Sequence, residues 1–321
     1  MRLVFLGSPE PANIPLKILV ENAKEHGHDL VGVVSQPARP VGRKQVLQDP
    51  PVAAYAKSVG VPVYQPEKAR DPEFLKAFEA LKPDVAITAA YGQILTPDFL
   101  RIPTRATINI HPSLLPKYRG ATPVPAALLA GEKISGVTIL FTVQKLDAGA
   151  IILQDTSAID PQECADALTA RYFALGAKLL FPALEKLKDP SFTGTPQDEL
   201  NVTHCRKIDK QDGNVIWSHA AEDIYNRFRA FTPWPSTFTF HEGRRLQLTA
   251  MMTDPSHMSG QNPGTVTFDK ARASLAVATG EGTLYLTKIK PSGGKEIPAA
   301  SFWNGLKDRS AVRFSCTDSS T

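Results

Sequence analysis

The stretch Asn109-Ile-His111-Pro-Ser-Leu-Leu-Pro116 decides how this chain is read. With Thr107 just upstream, Asn109 and His111 occupy alternate positions of an apolar run. That is the period of a β-strand, so the three polar side chains share one face while Ile108 and Ile110 take the other. Pro112 brings no N–H to a ladder and ends the pairing. The reading is a central strand that carries an amide and an imidazole to its carboxyl end, where open α/β sheets place their chemistry. A lone histidine at a strand end is ordinarily structural, so a second polar group has to meet it. Asp147, in the turn Lys145-Leu-Asp-Ala-Gly-Ala150 after the strand-like run at 137–143, supplies one if the two strands are neighbours with aligned ends. Such a carboxylate would orient the imidazole and favour its charged form, beside an amide able to donate to a developing oxyanion.

Outward from this strand, apolar β-type runs at 3–6, 30–34, 61–64, 85–89 and 107–110 alternate with helix-compatible spacing at 14–23, 52–58 and 72–81. Strands without a polar face, interleaved with helices, predict a parallel sheet covered on both sides, a Rossmann-like α/β domain. Its first turn, Gly7-Ser-Pro-Glu10, lacks the Gly-x-Gly-x-x-Gly that admits a pyrophosphate, so a dinucleotide cofactor is not supported. Asp160-Pro-Gln-Glu163 has the cap, first-turn proline and acidic third position of a helix start, and the helix is expected to run to Lys188. The expected organisation is a catalytic domain at 1–188, a Pro-, Gly- and Thr-rich linker at 189–206, and a second domain at 207–321. In that last part, short β-type runs at 236–240, 246–251, 264–268, 274–278 and 284–289 are separated by turn residues, as in a small β-barrel.

Bulk composition is that of a soluble globular protein, with 42% hydrophobic and 21% charged residues in 321. Cys164, Cys205 and Cys316 lie far apart with no Cys-x-x-Cys, which argues against a zinc site or disulfide framework and for a reducing compartment. No apolar run is long enough for a signal sequence or a membrane span, so a cytoplasmic location with no membrane partner is expected. The net charge of +4 is carried by residues 201–321, with 15 Lys and Arg against 11 Asp and Glu, a weak pointer to an RNA partner.

The runs NIHPSLLPKYRGATP at 109–123 and GVTILFTVQKLDAGAII at 136–152 resemble the folate-dependent formyltransferases, whose signature is Asn-x-His, then Ser-Leu-Leu-Pro, then an Asp in a later loop. FLGSPE at 5–10, SQPARPVGR at 35–43, AYGQIL at 90–95 and RAFTPWP at 229–235 extend the resemblance over the whole chain, towards the branch that formylates methionyl initiator tRNA. The resemblance implies an OB-like second domain, 10-formyltetrahydrofolate as co-substrate, no metal, and a monomer acting on initiator methionyl-tRNA in translation initiation. It assigns catalysis to Asn109, His111 and Asp147. It assigns folate binding to Ser113, Leu114, Leu115 and Pro116 and to the opposite wall Tyr91, Gly92, Gln93, Ile94 and Leu95. For tRNA it points to Arg43 and Lys44 in a Pro- and Gly-rich arm and to Arg227, Arg229, Arg244 and Arg245 in the second domain, with Lys288 and Lys290 as further candidates. Arg119 is a candidate for holding a carboxylate or phosphate, and Trp234 is expected to pack where helix meets barrel. Two departures stand out. Relatives commonly carry Arg-Gly-Lys-Lys where this chain has Arg43-Lys-Gln-Val-Leu47, and Asp-Thr-Gly-Asp where it has Asp147-Ala-Gly-Ala150. Alternatives from the same residues are a nucleotide-sugar amine formyltransferase, a formyltetrahydrofolate hydrolase, or a non-catalytic RNA-binding protein.

Overall fold

The computed structural model describes residues 1–42, 45–257 and 260–316, which form two compact units. The first comprises residues 1–123, 134–159 and 168–206, and the second 124–133, 160–167 and 207–321. Along the chain run β1 (Arg2–Gly7), α1 (Asn13–Asn22), β2 (Asp29–Val34), the hairpin β3 (Arg39–Val41) and β4 (Val46–Gln48), α2 (Pro51–Ser58) and β5 (Val63–Tyr64). Then come α3 (Pro72–Ala80), β6 (Val85–Ala89), α4 (Pro97–Leu100), β7 (Ala106–His111), β8 (Arg119–Gly120), α5 (Pro123–Leu129), β9 (Ile134–Phe141), β10 (Ile151–Ala158), α6 (Ala165–Lys186) and β11 (His204–Cys205).

The first unit is built on a seven-stranded sheet of order β10-β9-β7-β6-β1-β2-β5. Each strand alternates its apolar residues between two cores, as a sheet buried on both faces requires. Leu3, Phe5, Ile87, Ile108 and Ile110 pack with Leu16, Leu19, Phe173 and Leu180 of α1 and α6, while Val4, Leu6 and Ala86 pack with Phe74, Phe78 and Phe99 of α3 and α4. Helix α6 comes close because residue 176 is glycine: a Cβ there would stand 2.5 Å from Ile110 Cγ2. The strand order reverses between β1 and β6, which opens a crevice at their carboxyl ends. β7 lies on the β6 side of that switch.

Three expectations are corrected. The sheet is parallel from β7 through β5, but β9 runs antiparallel to β7 and β10 antiparallel to β9. Phe141 at the end of β9 therefore sits beside Ile108, not level with His111. The long helix begins at Ala165 instead of after Asp160, whose side chain accepts from the Gln162 N–H (2.7 Å) in a separate turn. Finally, the stretch at 189–206, expected as a bare linker, is held within the first unit. Thr195 exchanges two backbone hydrogen bonds with Ile151, each 2.8 Å, and β11 pairs with β8.

The second unit contains α7 (Ala221–Ala230), β12 (Thr237–His241), β13 (Arg244–Asp254), β14 (Val266–Asp269), β15 (Ser274–Ala278), β16 (Thr283–Pro291), β17 (Ile297–Pro298) and α8 (Ala299–Gly305). Its antiparallel sheet has the order β12-β13-β16-β15-β14, with β17 added on β16. The two edge strands are joined by the end of the chain: Ser315 pairs with Phe240 at the end of β12, and Arg313 with Thr265 beside β14. That closes the sheet around Leu248, Val266, Leu275, Val277, Leu284, Leu286 and Phe314. A closed sheet leaves no long free edge for foreign strands to pair with.

Candidate active site

Asn109 and His111 point to the face opposite Ile108 and Ile110, as the strand period requires. The connection 142–150 between β9 and β10 brings Asp147 onto that face. Asn109 Nδ2 lies 3.4 Å from Asp147 Oδ1, and His111 Nδ1 lies 3.7 Å from Asp147 Oδ2. The other partners fix the orientations. Thr88 Oγ1 on β6 donates to Asn109 Oδ1 (2.8 Å), so the amide presents its NH2 to Asp147. The Gly120 N–H donates to Asp147 Oδ2 (2.8 Å). Asp147 itself adopts a left-handed backbone conformation (φ +50°), uncommon for a residue with a side chain. Gly149 makes the tight turn possible, because a Cβ there would fall 1.8 Å from the Phe141 carbonyl oxygen.

His111 departs from its expected charge state. Its Nε2 is 3.0 Å from the Tyr118 carbonyl, which can only accept, so Nε2 carries the proton. The imidazole is buried, and that desolvation lowers its pKa below the ordinary value against the opposing pull of Asp147 and the Tyr118 carbonyl. The neutral ring therefore turns an unprotonated Nδ1 towards Asp147, and the expectation of a charged second oxyanion donor is withdrawn.

Residues expected at the folate site divide in two. Ser113 and Leu115 are buried and shape their turn. Ser113 Oγ donates to the Lys117 carbonyl (2.8 Å), Thr138 Oγ1 donates to the Ser113 carbonyl (2.7 Å), and the Leu115 N–H donates to Thr138 Oγ1 (3.1 Å). Leu114 and Pro116 are half-buried. In the loop after β6, Tyr91 is buried, Gln93 is tied to Pro66 and Ala69, and Leu95 packs at the edge of the core. Gly92 and Ile94 are exposed, Ile94 to 87%. The parts free to meet a ligand are thus Gly92, Ile94 and the half-buried flanks of the 113–116 turn.

Among the basic residues, Arg43 and Lys44 lie outside the described residues. Arg229 is corrected: it is 3% exposed, donates to Asn226 Oδ1 (2.6 Å) and to the Asp160 carbonyl (3.3 Å), and so serves packing in the second unit. Arg227 is half-buried and donates to the Asp212 carbonyl. Arg244 and Arg245 are exposed, the latter stacked 3.7 Å above the Phe238 ring. Lys288 pairs with Glu296 (3.2 Å), and Lys290 is exposed. Arg119, the candidate for holding a carboxylate or phosphate, holds a carboxylate of the chain itself: its fully buried side chain bonds to Glu199 (2.8 Å) and to the Gln197 amide (2.9 Å). Arg119 and Lys145 together hold the Glu199 carboxyl below its ordinary pKa. Trp234, expected to pack, is 55% exposed.

Thr88, Gly120 and Gln197 were missed by sequence reading. Thr88 had a signal, a polar residue in an otherwise apolar strand; the other two act through a backbone N–H and a distant amide that no local pattern marks.

Residues 1–184 match the family model described as formyl transferase, and 207–307 the one described as formyl transferase, C-terminal domain. A methionyl-tRNA formyltransferase of Roseiflexus castenholzii is 40% identical over 307 residues, 96% of either chain. One of Staphylococcus epidermidis is 35% identical over 308 residues, covering 96% of this chain and 97% of that one. Among solved structures, the sugar 3N-formyl transferase WlaRD, in the presence of dTDP and 5-N-formyl-THF, superposes with a TM-score of 0.66 at 16% identity, over 89% of this chain and 97% of its own. HypX from Aquifex aeolicus in complex with tetrahydrofolic acid gives 0.64 at 18% identity, over 97% of this chain and 50% of its own. At those identities the structural likeness concerns the fold alone.

Proposed function

The chain belongs to the formyl transferase family, and from that premise we propose that it transfers the formyl group of 10-formyltetrahydrofolate to the α-amino group of methionyl initiator tRNA. The observation that carries the choice of acceptor is the likeness to methionyl-tRNA formyltransferases over both matched segments and nearly the whole length. The cluster of Asn109, His111 and Asp147 argues against a chain that merely binds RNA.

Formyl transfer forms one N–C bond, breaks another, and moves one proton from the attacking amine to the departing folate nitrogen. The Asn109 amide, oriented by Thr88, directs one N–H at Asp147 and has a second for the formyl oxygen. That second bond strengthens as the oxygen gains charge in the tetrahedral intermediate. Proton movement falls to the pair Asp147 and His111. The carboxylate, or the neutral Nδ1 behind it, takes the proton of the attacking nitrogen and returns it to the leaving nitrogen, directly or through one water. Gly92, Ile94 and the 113–116 turn form the walls for the folate, and Arg43, Lys44, Arg227, Arg244 and Arg245 serve the tRNA.

The test is incubation of the protein with 10-formyltetrahydrofolate and methionyl initiator tRNA, with uncharged tRNA and an amino-sugar nucleotide in parallel. Formylmethionyl-tRNA is the expected product. Formylation of the sugar nucleotide alone would overturn the acceptor, and release of free formate in place of transfer would make the protein a hydrolase.

A further inference from the structure

We infer that Gln197 is a positioning residue for formyl transfer, and that the connecting segment 189–206 thereby completes the active site. Residues 185–206 are covered by neither matched family segment. Within them, Gln197 Nε2 donates to two carbonyls of the turn that presents the catalytic carboxylate, that of Asp147 (2.8 Å) and that of Gly149 (2.7 Å). Both hydrogens of the amide are used, and the two carbonyls flank Ala148, so a single side chain clamps the turn.

The amide cannot be turned round. Its Oε1 accepts from Arg119 Nε (2.9 Å), and a guanidinium has no acceptor to offer, so the NH2 must face the turn. Arg119 is in turn held by full burial and by Glu199, which also receives Lys145 Nζ (3.2 Å) from the Asp147 turn. The residue after Arg119 is Gly120, whose N–H binds the Asp147 carboxylate. Arg119 and Gly120 therefore hold Asp147 from two sides, its carboxylate directly and its backbone through Gln197.

This placement governs catalysis because the reacting groups do not set it themselves. Asp147 stands 3.4 Å from Asn109 and 3.7 Å from His111, both longer than its 2.8 Å bond to Gly120. With a left-handed backbone (φ +50°), Asp147 relaxes away from this pose once the clamp is lost. A misplacement of about 1 Å at a reacting group can lower the rate about 10²-fold.

The inference rests on the activity proposed above and is tested in the same assay. Gln197→Met keeps the volume and removes both donors together with the acceptor for Arg119, whereas Gln197→Glu keeps that acceptor and sets an oxygen against the two carbonyls. Each is expected to lower kcat by about 10- to 100-fold with KM for both substrates within about threefold and the melting temperature close to that of the wild type. A kcat within threefold of wild type in both variants, or a loss confined to KM, would overturn the role. So would unfolding of both, which would make Gln197 a structural residue. Wild-type protein that fails to formylate charged tRNA would bring down the functional reading and this inference together, whereas an active wild type matched by both variants removes the inference alone.

Discussion

Asn109 offers the only side-chain amide among Asn109, His111 and Asp147, and in the proposed transfer it is the one oxyanion donor of the three. Asn109→Ala should therefore fold normally and lose about 10² to 10³ in kcat, equivalent to about 2.7–4 kcal/mol. Asp147→Asn should lose a similar amount, since it keeps the shape and removes the group proposed to carry the proton; steady-state kinetics beside a melting curve check both. For His111 the prediction concerns acid. The unfolded imidazole takes up a proton near pH 6.5, while the buried ring stays neutral to lower pH. Below about pH 6.5 the unfolded chain thus binds the extra proton, so stability declines as pH falls and levels off only beneath the folded-state value. The wild type should lose melting temperature between about pH 7 and 5.5 more steeply than His111→Asn. Parallel curves would mean a ring whose pKa folding leaves unchanged, and a shallower wild-type curve would mean a charged ring. The meeting of these residues was legible from strand period, spacing and family resemblance. The charge on His111 was not, because the Tyr118 carbonyl and the depth of burial leave no mark on the sequence. Arg229 failed for the same reason: its partners include a backbone carbonyl 69 positions away.

The connection 142–150 is an element defined by close backbone packing, and Gly149 is its narrowest point. Gly149→Ala would press a methyl group against the Phe141 carbonyl, 1.8 Å from its oxygen, and should cost about 1–3 kcal/mol of stability along with most of the turnover. Gly60→Ala is the contrast: its backbone is left-handed (φ +74°), as that of Gly149 is not, and it meets nothing within 4 Å, so its penalty is backbone strain alone and activity should persist. Equal effects on activity would remove the steric account. Strands were the most legible elements, since β15 coincides with its expected range and β6 does as well. Direction was harder to read. The apolar pattern of β9 is the same whichever way the strand runs, and the decision lies in its pairing with β7, beyond the reach of a local pattern. The capping signature at Asp160 was real, but it was met by a turn that stops short of the helix.

At the scale of the molecule, the exposed Arg244, Arg245 and Lys290 of the second unit predict tRNA binding that weakens steeply as salt rises, with a log–log slope that grows with the phosphates contacted. Filter binding across a salt series measures it; a flat response would place the contacts elsewhere. Arg245→Ala should reduce that slope, while Arg229→Ala should lower the melting temperature. The two-part organisation could be read from composition, but the membership of 189–206 could not, because Gln197 and Thr195 act on partners far back along the chain. A last consequence concerns synthesis. The β12–β13 and β14–β15–β16 ladders can form as they leave the ribosome and β16 can then join β13, yet the seam between Phe240 and Thr265 stays open until residues 312–315 have emerged. Truncation before Val312 should accordingly leave this half of the protein exposed to proteases while the first half still folds, and a bulky fusion attached directly to Cys316 would strain the latch that shuts it.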